Sequence, residues 1–87
     1  MHEQSLMNNL MEKILALAEK EHAAKVTRVS VKLGALSNMS SEHFKEHFDI
    51  AAKGTIAEDA AIDAEESSDM NDPERQAILL KSIDVAD

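Results

Sequence analysis

The spacing of apolar residues changes twice in the first fifty positions, and that change constrains what the chain can build. Leu6, Met7, Leu10, Met11, Ile14, Leu15 and Ala18 recur at steps of three and four, along one face of a helix from about Ser5 to His22. Asn8, Glu12, Lys13, Glu19 and Lys20 fall on the opposite face. From Val26 to Leu36 the step drops to two. Val29, Val31 and Leu33 alternate with Arg28, Ser30 and Lys32, the pattern of a strand with one buried and one wet face. Gly34 and Ala35 near its end leave room for a bulge or a close backbone approach. After a Ser–Asn loop the helical step returns. Ser40 is placed to cap a second helix that buries Phe44, Phe48 and Ala51 and ends at Gly54, a residue suited to the left-handed C′ position.

Alternation resumes from Ala60 to Glu66, with Ala60, Ile62 and Ala64 inward and Asp63 and Glu65 outward. Residues 67–76 are polar, hold the only Pro, and read as a loop in which Asp72 before Pro73 starts a single helical turn. A last strand spans about Ile78 to Val85. Its apolar positions, 78 and 80 and then 83 and 85, slip in parity near Lys81 and Ser82, which predicts a bulge there. The order is therefore α-β-α-β-β, an α/β (α+β) chain forming one domain over 1–87. A right-handed crossover through the second helix makes the first two strands parallel. The expected architecture is two helices on one face of a mixed three-stranded sheet. The last strand closes as a hairpin antiparallel to the second, with the central position open to it.

Composition removes several classes of function. The chain of 87 residues has no Cys, so disulfides, thiolate catalysis, iron–sulfur clusters and Cys-built zinc sites are excluded. A net charge of −8 is repelled by phosphate backbones and anionic lipid, which argues against nucleic-acid and membrane partners. With two Phe and no Trp or Tyr there is no platform for stacking bases. No apolar run approaches the roughly 18 residues of a membrane span, and the chain start lacks a signal-peptide layout. Two glycines cannot make a phosphate loop, and no serine sits in a nucleophile elbow. Glu58, Asp59, Glu65 and Glu66 read as solvating charges. The chain does not read as an enzyme.

Two groups of nitrogen donors remain. At the chain start, Met1-His2-Glu3 offers an amine, an amide nitrogen and the Nδ1 of His2, which close fused five- and six-membered chelate rings. Glu3 supplies a fourth donor through its amide or its carboxylate. A planar, nitrogen-rich set suits nickel(II) or copper(II) better than tetrahedral zinc. The other reading of this tripeptide is a frayed terminus. The second group is His43 and His47, spaced i,i+4 on the second helix beside Glu42 and Glu46, a weak second metal site or an ordinary solvated face. His22 reads as a cation at a helix C-terminus, and Met7 and Met11 as core filling.

Taken in order, these segments resemble the HypA/HybF family of hydrogenase maturation factors, small metallochaperones for nickel. The resemblance runs from Met1-His2-Glu3 and Ser5-Leu6 through Val26-Thr27-Arg28-Val29 and Leu33-Gly34-Ala35-Leu36-Ser37. It continues with Glu42, Phe48 and Lys53-Gly54-Thr55-Ile56-Ala57-Glu58, and ends at Lys81-Ser82-Ile83-Asp84-Val85. No single segment is specific; the ordered set is. It implies a nickel(II) ligand set of His2, the Met1 amine and Glu3, a HypB-type GTPase and a nickel-enzyme precursor as partners, and a cytoplasmic setting. For the client the resemblance implies a nickel–iron hydrogenase, or urease as for some members of the family. The family's zinc lobe, built on two Cys-x-x-Cys pairs, would fall at the loop 67–76, where this chain has no Cys, so no zinc is expected. Glu46 stands where relatives often have an apolar residue, and His43 and His47 match no ligand pattern of the family. The alternative reading is a metal-free adaptor that keeps the fold and binds a protein through a helix face or a sheet edge. A monomer and a dimer both fit the sequence.

Overall fold

The computed structural model describes residues 3–37, 39–73 and 75–87, with side chains from Met7 onward. Its elements are α1 (Glu3–Lys20), β1 (Lys25–Leu33), α2 (Ser41–Ala52), β2 (Ala61–Glu66) and β3 (Ile78–Ala86). This is the order read from the apolar spacing. On α1, Met7, Leu10, Met11, Ile14 and Ala18 are buried and Leu15 packs partly against them, so the three-and-four step does mark the core face.

Helix α1 stops through its own backbone. His22 takes a left-handed conformation with φ of 55°. The Ala23 N–H donates to the Ala18 carbonyl and the His22 N–H to the Glu19 carbonyl, at 3.0 Å each. That is the Schellman pattern with His22 at C′, a position where glycine has no Cβ to strain. His22→Gly is expected to raise stability by about 1 kcal/mol. For a domain of this size that moves the melting midpoint up by roughly 4–8 °C. A circular-dichroism melt that shows no rise would mean the turn holds His22 without strain.

The sheet order is β2-β1-β3. β1 pairs in parallel with β2, from Arg28 opposite Ala61 to Leu33 opposite Glu66, as the crossover reading requires. β3 runs antiparallel but corrects one expectation: it does not close on β2 as a hairpin, and the central strand is β1. The reason lies in side-chain character. Val26, Val29, Val31 and Leu33 are almost wholly inaccessible, whereas on β2 Ile62 and Ala64 are only partly covered and alternate with Asp63 and Glu65. The strand with the most deeply buried side chains is paired on both sides, and the acidic strand guards an edge.

The bulge expected near Lys81 is present. Ser30 faces Ser82 while Val31 faces Leu80, leaving Lys81 as the extra residue. A second bulge, which the sequence reading missed, falls on β1: Val26 faces Val85 and Arg28 faces Asp84, so Thr27 has no opposite number. It carries Val26 to the same buried side as Val29 despite their odd spacing. The two bulges sit on opposite strands and offset one another, so inward residues match again at each end of the ladder.

The helices pack on each other, α1 also against β3 and α2 also against β2, over one shared core. On α2 the buried set is Phe44, Phe48 and Ala52; Ala51, expected in the core, is half-buried and turned toward α1. Lys53 at the C-cap has φ −59° and ψ 128°, and Gly54 has φ 82°. Thr55 then donates back to the Ala52 carbonyl at 2.9 Å. Gly54 is thus left-handed as expected, within a type II turn, which needs positive φ at its third residue. In the loop before β3, the Arg75 N–H donates to the Asp72 carbonyl at 3.0 Å, a turn rather than the helical turn expected there.

Candidate functional site

Of the amino-terminal set, Met1 and His2 lie outside the described residues, as does the side chain of Glu3. The backbone of Glu3 is the first residue of α1. This matters chemically, because the first four N–H groups of a helix have no acceptor within it. An amide at this position can be given to a metal without breaking a helical hydrogen bond.

The second histidine group is fully in view. Its scaffold is the start of α2, which three contacts hold. The Ser40 hydroxyl accepts from the His43 N–H at 3.1 Å, so Ser40 is the N-cap the sequence suggested. Ser41 donates both its N–H and its hydroxyl to the Glu66 carboxylate, at 2.9 and 2.7 Å. These two bonds, the backbone one foremost, hold the Glu66 carboxyl below its ordinary value against a small opposing effect of burial. The carboxylate also lies at the positive end of the α2 dipole. Glu66 was read as a solvating charge. It instead ties the last residue of β2 to the first turn of α2, a contact across 25 positions that no local pattern announces.

On that anchored turn His43 and His47 are both half-buried, with rings stacked 4.6 Å apart and only 6° from parallel. Helical spacing puts His43, His47 and Ala51 on one ridge. Ala51 meets Asn8, Met11, Glu12 and Leu15 of α1 in a shallow groove, so this ridge faces α1. Among the described residues no cluster of three or more His, Cys, Asp or Glu side chains is placed to hold a metal ion. The structure therefore brings together the histidine pair, while the amino-terminal side chains lie outside the described residues.

The outer sheet face carries ion pairs. Lys32 reaches Asp72 at 2.7 Å, which raises the Lys32 ammonium above its ordinary value through that hydrogen bond and the Asp72 charge. Lys81, freed by the bulge, reaches past β1 to Glu65 at 3.0 Å, and this bond lowers the Glu65 carboxyl. Arg28 stands 3.9 Å from Asp84. The Lys81–Glu65 and Arg28–Asp84 pairs are exposed and contribute little individually, whereas Lys32–Asp72 is partly buried. Their consequence is that the wet face presents balanced charge rather than a basic patch, and it offers phosphate no site. Among the described residues no helix is long and apolar enough to cross a membrane.

The fold and donor set define a class: a small α+β domain, two helices over a mixed three-stranded sheet, whose unassigned chemistry is concentrated in histidines. The family model described as "Hydrogenase/urease nickel incorporation, metallochaperone, hypA" matches residues 1–70, and the chain belongs to that family. A HypA hydrogenase maturation factor of Caldanaerobacter subterraneus subsp. tengcongensis is 40% identical over 62 residues, covering 71% of this chain and 54% of the relative. One from Archaeoglobus fulgidus is 38% identical over 63 residues, covering 72% and 57%. The chain thus spans about half the length of the curated relatives it matches. In structure it is similar to the solution structure of the nickel metallochaperone HypA from Helicobacter pylori, with a TM-score of 0.77 over 99% of this chain and 98% of that one, at 20% identity. That likeness shows the fold.

Proposed function

We propose that this chain is a nickel(II)-handling metallochaperone domain that takes its metal at the amino terminus. The observation that carries this is the family match beginning at residue 1, so that it includes Met1-His2-Glu3. The Met1 amine, the amide and imidazole of His2, and Glu3 form fused chelate rings around one ion, the planar donor set nickel(II) favours. The amine, and any amide that binds, must shed a proton, so affinity rises with pH. The protein does no bond-making chemistry of its own; nickel is its cargo. By analogy with the family, the cargo passes to a nickel-enzyme precursor, a hydrogenase first of all, with a HypB-type GTPase as the loading partner and the cytoplasm as the setting. The 87 residues contain no Cys, so they hold no thiolate zinc centre of the family's kind, and nickel capture in this reading needs none.

The test is a nickel(II) titration of untagged protein beside His2→Ala, followed by calorimetry and visible absorption. A tight phase of about one nickel per chain with a planar-type d–d band, lost in His2→Ala, is the expected result. A tight phase that survives His2→Ala would move the site elsewhere.

A further inference from the structure

His43 and His47 have no part in the amino-terminal reading, yet the fold sets them up as a pair. Both ends of their segment of α2 are fixed: Ser40 and the Ser41–Glu66 bonds hold the first turn, and Phe44 and Phe48, each fully buried, prevent the helix from rolling. The two imidazoles are therefore presented side by side from adjacent turns, with planes 6° apart, rather than splayed into solvent. Nitrogens bound to a single ion at about 2.0–2.1 Å lie closer together than these ring centres. Side-chain rotation that opens the stack is needed to turn one nitrogen of each ring toward a shared ion, which i,i+4 histidines on a helix can do without moving backbone.

Nearby carboxylates offset the positive end of the α2 dipole at this turn. Glu42 and Glu46 flank the pair on α2, both exposed, and Glu12 lines the neighbouring groove from α1. In a chain without Cys, imidazole is the ligand best matched to borderline divalent ions such as nickel(II), copper(II) and zinc(II). Helix direction adds a further point. α1 leads into β1 through residues 21–24, and α2 leaves β1 for a strand parallel to it, so both helices run against β1 and alongside each other. Ala51 is level with Asn8 to Leu15 on α1. Stepping back one and two turns along both helices, at about 1.5 Å per residue, sets His47 and His43 level with the first two turns of α1.

We propose that His43 and His47 form a second, exchangeable site for a divalent transition-metal ion, on the α1-facing ridge of α2 toward the end of the domain where α1 begins. Two protein donors leave the rest of the coordination sphere to water. Such a site takes up and releases its ion readily, which suits a loading point more than a store. The proposal goes beyond the amino-terminal reading and does not depend on it.

The experiment uses the untagged 87-residue chain with His2→Ala, so that the amino-terminal set is silenced, and titrates copper(II) or nickel(II) alone while following imidazole proton signals by NMR. The expected result is selective broadening of His43 and His47 ahead of His22. Adding His43→Gln and His47→Gln, which keep helix-compatible side chains, should weaken binding by more than about tenfold with an unchanged circular-dichroism spectrum. Broadening centred on His22, or unchanged affinity in the Gln variant, overturns the proposal. Failure of the amino-terminal reading looks different: His2→Ala would then leave the tight nickel phase untouched whatever happens at the pair.

Discussion

Placing two residues, Gly-Ser, before Met1 is expected to abolish tight nickel binding as completely as His2→Ala. The reason is geometric. The Met1 amine closes the five-membered ring with the His2 amide nitrogen, and the His2 imidazole closes the six-membered ring on the other side. An extension turns the amine into an amide and takes away the donor that closes the five-membered ring. Loss of a mere outer-shell partner costs roughly 10–100-fold in metal affinity, so loss of this donor should cost more than about 100-fold. The fold should not notice. α1 begins at Glu3, and its buried face starts at Met7 among the described side chains, so added residues meet no core contact. Calorimetry on the extended protein, with circular dichroism as the control for α1, decides the matter. Retained affinity with an intact helix would remove the amine from the ligand set.

Much of this structure was written in short-range patterns, and what escaped was written elsewhere. The faces of α1, β1 and β2 followed from apolar spacing because each packs one side on a single core. The Ser40 cap and the left-handed Gly54 followed from local backbone needs that few residue types meet. The Lys81 bulge was legible as a parity slip. The matching slip between Val26 and Val29 was also in the sequence, but three consistent alternations after it masked the fourth. Strand order was not legible, since alternation tells a strand which way to face and not which neighbour to take. The pairing of β3 with β1 depends instead on which strand most needs covering on both edges. His22 looked like a dipole-favoured cation, yet its backbone conformation defines its place in the fold. At the site, i,i+4 spacing foretold that His43 and His47 share a face. It could not foretell that Glu66, a residue of β2, helps to hold that face in position.

Phe48→Ala is expected to be the most damaging single change to the fold. Phe44 and Phe48 are the only phenylalanines in a chain without Trp or Tyr, both fully buried, with ring centres 6.0 Å apart and planes at 29°. Truncating a buried Phe costs about 3–5 kcal/mol, through lost transfer free energy and the cavity left behind. A chain of this length has about 4–13 kcal/mol of stability at the usual value per residue. The melting midpoint should therefore fall by roughly 15–30 °C, read by far-ultraviolet circular dichroism because the chain has no Trp or Tyr to report fluorescence. A fall of less than about 5 °C would mean that the core closes over the gap and α2 is anchored by other contacts. Phe48→Leu separates the causes: it keeps most of the apolar volume and should cost less than half as much. The consequence for metal binding follows from the helix itself. His47 precedes Phe48 by one residue, so the ring that fills the core also sets the azimuth of the histidine ridge. In Phe48→Leu the pair should still bind copper(II), because α2 remains seated. In Phe48→Ala the pair should also bind at temperatures where α2 is still helical, since both imidazoles are carried by that one helix, and binding should be lost together with the helix on melting.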